Sequence, residues 1–502
     1  MPVKFSTDID HWVFKSQRQR VSPFPNYFSM EAVCNEMKSA VGFALGEVLY
    51  FCTHNVHYMF IGRKGYEEVA RDMSDKIHYD SKLVGKFIKE QHIYGARLVA
   101  FAKKAGNSNL ERISNQTLYE FFADYEKKYK EVYARYGWIW ITEDHYIADL
   151  LRMVEGKVAD KRKAAVVLDI LTREPSAMVA TVELKALFEL ALRILADKHW
   201  VSLVTTKDID AIKKDSKLSN LIRKHERNYF WVTRDYEDSV LDFRSIVQRL
   251  TGYLILNVRK EYEKLVGNLA KNESERKRYL ARLNFSKQEQ DSFNSMRHVA
   301  YLKELRKRYV SESLYYFDSV LKEIGRRFYL SLNQVRHLKI EEIRTALIKG
   351  KELSFDINER IELMLWYCRR GQPMKIVERS QAERLFNLFC KVDKNAKEFT
   401  GMPVSPGVAK GPARVILHPD ECDKVQKGDI IVSIQVVPSF STAIMKAAGL
   451  VCDGGHGITT HPATLAREAK IPGVIQTRFV REVVKDGDWL EVDGYKGVVR
   501  RI

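Results

Sequence analysis

Apolar residues recur every three or four positions through most of the chain. In "SMEAVCNEMKSAVGFALGEVLYFC" (Ser29 to Cys52) the spacing predicts a helix, with Ser29 available as its cap. The same period runs through "SKLVGKFIKEQHIYGARLVAFAKK", "VELKALFELALRILADKHW", "RSIVQRLTGYLILNVRKEYEKLVGNLA" and "SESLYYFDSVLKEIGRRFYLSL". The more polar "ESERKRYLARLNFSKQEQDSF" is expected to link two helices across a solvated face. After Lys397 the pattern shortens. "GMPVSPGVAKGPARVIL" is a turn and then an alternating strand, "GDIIVSIQVV" and "GLVCD" are short buried strands, and "STAIMKAA" is a helix. "DWLEVDGYKGVVRRI" is a hairpin turning at Asp493-Gly494.

Breaker residues divide the chain at the same place. Only Pro175 and Pro373 lie between Asn26 and Met402, whereas seven of the twelve prolines fall between Pro403 and Pro472. Twelve of the 26 glycines follow Thr400. Long helices tolerate few breakers, and compact strand-and-turn units need them. The expected architecture is multidomain, α plus α/β. A large all-helical domain over residues 1–395, in one or two lobes, precedes a small α/β domain over 396–502.

Composition adds less. No apolar leader opens the chain and no eighteen apolar residues run together, so neither secretion nor a membrane span is expected. Six scattered cysteines without a CxxC pair suit reduced thiols in the cytoplasm. The formal net charge is +18, of which only +2 lies after Thr400. A basic helical region can attract nucleic acid, anionic lipid or phosphorylated ligands. Here the basic residues are interleaved with acidic ones, as in "RKEYEKLVGNLAKNESERKRY", a pattern of solvated helix faces.

The stretch "DGGHGITTHPATLAREAKIPGVI" (Asp453 to Ile475) carries the candidate chemistry. Pro462 suits the first position of a helix through "ATLAREAK", which makes His461 the N-cap or its neighbour. Free N–H groups and the positive end of the helix dipole meet there, so an anion is favoured. Gly454, Gly455 and Gly457 let the loop approach closely, and Thr459 and Thr460 add hydroxyl donors. A neutral imidazole is a capable nucleophile near pH 7. A single histidine near a helix start is more often structural, and these features alone leave both readings open.

Four blocks in order lift that ambiguity: "GMPVSPGVAKGPARVI", "AIMKAAGLVCD", "GGHGITTHPATLAREAKIPGV" and "KDGDWLEVDGYKGVVRRI". Over residues 400–502 they resemble the swivelling phosphohistidine (mobile) domain of the phosphoenolpyruvate-utilising enzymes. The family includes phosphoenolpyruvate synthase, pyruvate phosphate dikinase, enzyme I of the sugar phosphotransferase system and rifampin phosphotransferase. The resemblance implies that His461 is phosphorylated and that Arg467 and Glu468 fix the loop and helix. Two departures stand out. The loop is one residue longer, or His456 takes a glycine position, and Pro462 removes one N–H, leaving those of Ala463 and Thr464.

The helical part, with "LKELRKRYVSESLYYFDSVLKEIGRRFYLSLNQVRHLKIEEIRTAL", resembles the substrate-binding region of rifampin phosphotransferase-like proteins. The resemblance implies a phosphotransferase component that delivers phosphate from His461 to a small-molecule acceptor. The glycine-poor first four hundred residues show no ATP-grasp phosphate loop, and the sequence stops at the last hairpin. Mg-ATP or phosphoenolpyruvate is therefore expected at a donor site on a separate polypeptide, an ATP-grasp kinase subunit or another protein's barrel. Arg306, Arg308, Arg326 and Arg327 could stabilise charge at the acceptor, although each also fits a surface ion pair. The aromatics of "YGWIWITEDHY" and "HERNYFWVTRDYED" could line a pocket with Asp144 or His145 as base, or simply fill a core. His54 and His57, three apart on an expected helix, could share a metal, but no third ligand is evident and no metal is assigned. The competing reading is a non-enzymatic basic helical adaptor for nucleic acid with the mobile domain as a regulatory module.

Overall fold

The computed structural model describes residues 5–173, 179–234, 236, 240–255, 257–353, 355–390, 392–436, 440–455 and 460–502. Helices dominate the first part as the periodicity requires. "SKLVGKFIKEQHIYGARLVAFAKK" forms a helix over Leu83–Gly106, followed by helices at Asn115–Tyr136, Trp138–Glu155 and Lys161–Thr172. The longest, Lys287–Phe328, has 42 residues and starts at a capping box in which Ser286 and Glu289 satisfy each other's backbone N–H groups. It lies along Leu83–Gly106 at close range. A Cβ on Gly95 would fall 2.2 Å from the Tyr309 ring, and one on Gly106 2.1 Å from the Tyr316 carbonyl oxygen. The polar "ESERKRYLARLNFSKQEQDSF" does join two helices, Val258–Arg282 and Lys287–Phe328.

The apolar interior of this part has two helical cores. One gathers residues such as Phe28, Phe122, Tyr129, Trp138 and Phe317. A second, including Leu187, Ile222 and Val247, belongs to the helices between Val179 and Arg282.

The region is not all-helical. A five-stranded sheet, β1 (Trp12–Arg18), β2 (Glu47–Thr53), β3 (Val56–Gly62), β4 (Met364–Arg369) and β5 (Lys375–Ile376), runs in the order β1-β3-β2-β4-β5. Its ladders are antiparallel. The expected helix from Ser29 to Cys52 therefore ends early. Its first half is helical over Pro23–Glu31 and Met37–Val41, and its end, "EVLYFCT", is β2. The centre of the sheet is covered on both faces, so β2, β3 and β4 are largely apolar runs without alternation. Val48, Tyr50, Cys52 and Ile61 face the helical core, while Leu49, Phe51, Tyr58 and Phe60 face Leu385 and Phe389.

His54 and His57 do not share a helix either. His54 and Asn55 form the two-residue turn between β2 and β3, with φ of 47° and 61°, the left-handed pair that such a hairpin demands. His57 is buried on β3 with Nε2 3.2 Å from Ser16 Oγ. No group of three or more His, Cys, Asp or Glu side chains is arranged to hold a metal ion among the described residues.

The C-terminal unit is a mixed eight-stranded sheet. Its strands are β6 (Glu398–Thr400), β7 (Met402–Ser405), β8 (Val408–Val415), β9 (Ile430–Ser433), β10 (Gly449–Cys452), β11 (Gly473–Ile475), β12 (Trp489–Asp493) and β13 (Val498–Arg501). The order is β6-β13-β12-β8-β9-β10-β11-β7, and β8 to β11 run parallel. The expected hairpin of β12 and β13 is present, whereas the helix of "STAIMKAA" is a single turn, Ser441–Ile444. Among the described residues no helix is long and apolar enough to cross a membrane.

Candidate active site at the start of the His461 helix

The loop leaves the sheet at the carboxyl end of β10, where ligands of parallel α/β sheets collect. Asp453 anchors it. The carboxylate is completely buried and accepts from the Thr477 hydroxyl at 2.9 Å and from the backbone N–H groups of Val480 and Arg481 at 2.8 and 3.0 Å. Burial outweighs those donors and lifts its pKa to about 7. Gly454 follows with no room for a side chain. Gly455 has φ +104°, open to glycine at no steric cost.

The chain re-enters helical geometry at Thr460, an N-cap with φ −82° and ψ 158°. His461 is the first helical residue and Pro462 the second, so the proline stands one place later than the sequence suggested. The helix runs His461–Ala469 and stops at Lys470 in the left-handed conformation. The Thr464 N–H is used inside the helix, donating to the Thr460 carbonyl at 2.9 Å. Of the two N–H groups expected to serve an anion beyond Pro462, only that of Ala463 remains. Gly457 and Thr459, with His456, lie outside the described residues.

The family model for the PEP-utilising enzyme mobile domain matches residues 425–497. The chain carries a mobile domain of the phosphoenolpyruvate-utilising enzymes. Its curated relatives agree. A probable phosphoenolpyruvate synthase of Archaeoglobus fulgidus is 41% identical over 175 residues, 33% of this chain and 22% of the relative. Rifampicin phosphotransferase of Bacillus cereus is 26% identical over 183 residues, 36% of this chain and 20% of the relative. The uncharacterized phosphotransferase YvkC of Bacillus subtilis is 27% identical over 205 residues, 37% of this chain and 24% of the relative. The chain thus spans about a fifth of the length of these relatives.

The mobile domain rests against the helical part. A Cβ on Gly454 would sit 2.3 Å from the carbonyl oxygen of Gln17 in β1, so the two backbones touch. The Gln19 amide donates to the Leu417 carbonyl at 2.8 Å, and the Arg478 guanidinium covers the Phe14 ring at 4.9 Å. Arg467 does more than fix its own helix. Its Nε pairs with Asp169 Oδ1 at 2.9 Å across the contact, and its Nη1 donates to the Val404 carbonyl at 3.3 Å. Asp169, on the helix Lys161–Thr172, also takes a hydrogen bond from Arg173 Nη2 at 2.9 Å. Glu468, expected to help fix the helix, is exposed.

Beyond the loop, the helical part presents charge and phenol groups. Arg18 at the end of β1 is one link. It lowers the pKa of the buried Cys452 thiol, which burial and the Asp453 carboxylate push up, and its guanidinium lies 5.7 Å from the centre of the Tyr236 ring. Tyr236 Oη is 3.2 Å from Tyr133 Oη, and Arg306 Nη1 donates to both hydroxyls, at 3.4 and 2.9 Å. Glu304, Arg306 and Lys307, consecutive charges but for Leu305, are all buried.

The four candidate arginines divide accordingly. Arg326 and Arg327 each bind Glu323 at 2.8 Å, and Arg308 lies 4.0 Å from Glu312. These three are ordinary helix ion pairs, and Arg306 is not. Asp144 is engaged by Lys15 Nζ at 2.5 Å, and His145 Nε2 sits 3.8 Å from Asp149. Sequence reasoning missed Gln17, Arg18, Asp169 and Arg173. One signal was available for the phenol cluster: Tyr125, Tyr129, Tyr133 and Tyr136 follow at intervals of four, four and three, a single stripe on one helix.

Proposed function

We propose that His461 carries a phosphoryl group and delivers it to a hydroxyl-bearing small molecule held by the helical part. The donor site, for Mg-ATP or phosphoenolpyruvate, belongs to a separate ATP-grasp or phosphoenolpyruvate-using polypeptide. The observation that carries this reading is the position of His461 at the first residue of a helix in a domain whose Gly454 backbone meets the Gln17 backbone of β1 in the helical part.

Transfer breaks the N–P bond of phosphohistidine and forms an O–P bond to the acceptor. The hydroxyl proton ends on the imidazole nitrogen that gives up phosphorus, so nothing else is consumed. In such a displacement the protein's task is positioning and stabilisation of charge on the transferring oxygens. The Ala463 N–H and the helix dipole favour that charge on the histidine side. The relatives' printed names, phosphoenolpyruvate synthase and rifampicin phosphotransferase, support phosphoryl-transfer chemistry. In support of an external donor, the first four hundred residues hold 14 of the 26 glycines and no glycine-rich phosphate loop.

The test is intact mass of the full chain and of His461→Ala after incubation with Mg-ATP or phosphoenolpyruvate, with and without extract of the cells it comes from. The expected result is one acid-labile phosphoryl group on wild type, dependent on extract, and none on His461→Ala. Labelling of His461→Ala to the same extent would overturn the assignment. Labelling without extract would place a donor site within this chain.

A further inference from the structure

Among the described residues, Arg306 is a buried cation with no anion. Only 8% of it is exposed, and among the described residues no carboxylate pairs with it. Comparably buried arginines are all matched: Arg234 holds Asp318 at 2.7 Å, Arg336 the same carboxylate at 2.6 Å, and Arg276 lies 3.4 Å from Glu273. The surroundings of Arg306 are phenols instead. Its Nη1 donates to Tyr133 and Tyr236, and its Cζ lies 4.7 Å from the centre of the Tyr136 ring and 5.8 Å from that of Tyr133. Its Nε–H is buried and has no acceptor. Neutral hydroxyls and ring faces offset part of the cost of burying a guanidinium, but not the charge itself.

A site with these properties accepts a planar anion. A carboxylate can meet the Nε edge of a guanidinium in its plane, the geometry that arginine favours, and flat walls of tyrosine suit a flat group. The cage also connects to the transfer site. Tyr236 is shared by Arg306 and by the Arg18 guanidinium, and Arg18 follows Gln17, whose carbonyl oxygen meets Gly454 where the His461 loop begins.

We propose that Arg306, with Tyr133, Tyr136 and Tyr236, is the anion-binding subsite for the acceptor, and that the acceptor is a hydroxy acid. It holds the carboxylate and leaves the hydroxyl free for phosphoryl transfer. This rests on the transfer reading above for its purpose, though binding can be measured without transfer.

The experiment is calorimetric titration of the full-length protein with hydroxy acids and their neutral amides, 4-hydroxybenzoate against 4-hydroxybenzamide and mandelate against mandelamide. At least one acid is expected to bind about tenfold or more tighter than its amide, the worth of one charge-assisted pair. Arg306→Gln should abolish that preference while His461 still takes up its phosphoryl group. Arg306→Lys, which keeps the charge but not the planar fork, should retain only part of it, and it carries the test if the glutamine variant does not fold. Equal binding of acid and amide, a preference unchanged in both variants, or no binding by either acid would overturn the proposal. Arg306-dependent acid binding in a protein whose His461 is never labelled would leave the subsite standing and remove the transfer reading.

Discussion

Asp453 combines full burial with three hydrogen-bond donors, and the balance sets a pH dependence that can be measured. Its native pKa of about 7 lies above the ordinary value of 3.8, so the fold prefers the protonated acid. The stability this contributes is fully present below about pH 4 and is lost as pH rises through 7. Asp453→Asn has no proton to release. The stability difference between wild type and Asp453→Asn should therefore shift against wild type by on the order of 4 kcal/mol between pH 4 and pH 8. Hydrogen exchange of the β10 and β11 amides, followed in both proteins across that range, would show it; parallel pH profiles would mean the carboxylate is ionised throughout. At this scale the sequence was informative where chemistry is local. His461, its threonine and glycine neighbours and Arg467 stand within fifteen residues, so a local motif could single them out as candidates. Asp169, almost three hundred residues before Arg467, has no such mark, because an ion pair across a contact leaves no periodicity. Arg306 was hidden differently: in "LKELRKRY" it looks like a surface charge, and only the tyrosines packed around it distinguish it from Arg308.

Elements that were misread share one property. β2, β3 and β4 are covered on both faces, so "EVLYFCT", "VHYMFIG" and "MLWYCR" lack the alternation that marks a half-buried strand. A run of apolar residues at the end of a helical pattern then looks like more helix. The positive-φ pair His54-Asn55 was the local clue to a hairpin. By contrast β8, β9, β10, β12 and β13 of the mobile domain were legible between its prolines and glycines, while the short β6, β7 and β11 were not. The contact between these two sheets depends on one small residue. A methyl group at Gly454 would lie 2.3 Å from the Gln17 oxygen and 2.7 Å from the Ile434 oxygen, both backbone atoms that cannot rotate away. Gly454→Ala should cost roughly 1–3 kcal/mol, as overpacking does elsewhere, and part of that cost disappears if the loop lifts off β1. The prediction is faster proteolysis at the loop between residues 455 and 460 with little change in the helical part. Unaltered cleavage with an unaltered melting temperature would show that β1 and the loop are not in contact in solution.

On the scale of the whole molecule, the transfer reading proposed above requires the domain that bears His461 to let go of the helical part. The contact joins Gln19 to Leu417, Arg478 to the face of Phe14, Tyr58 to Phe479 and Arg467 to Asp169, the last pair with side chains 13% and 14% exposed. The pair is not worth its full Coulomb energy, because Asp169 keeps Arg173 when Arg467 leaves, and Arg467 keeps the Val404 carbonyl when Asp169 leaves. Neither partner is stranded as a buried lone charge, so the cost of separation is about 1 kcal/mol, a several-fold change in the docked fraction. Spin labels on the mobile domain and on the helix Lys161–Thr172 would report that fraction as a distance distribution. Asp169→Asn and Arg467→Ala should each lengthen the mean distance, and the double variant should add little to either. Raising the salt concentration should shift wild type in the same direction and the variants less, since salt screens the attraction that brings the two charges together and each variant has lost one of them. Fully additive effects of the two substitutions would mean that the pair does not hold the domain, and that the apolar contacts of Phe14 and Tyr58 with Arg478 and Phe479 do.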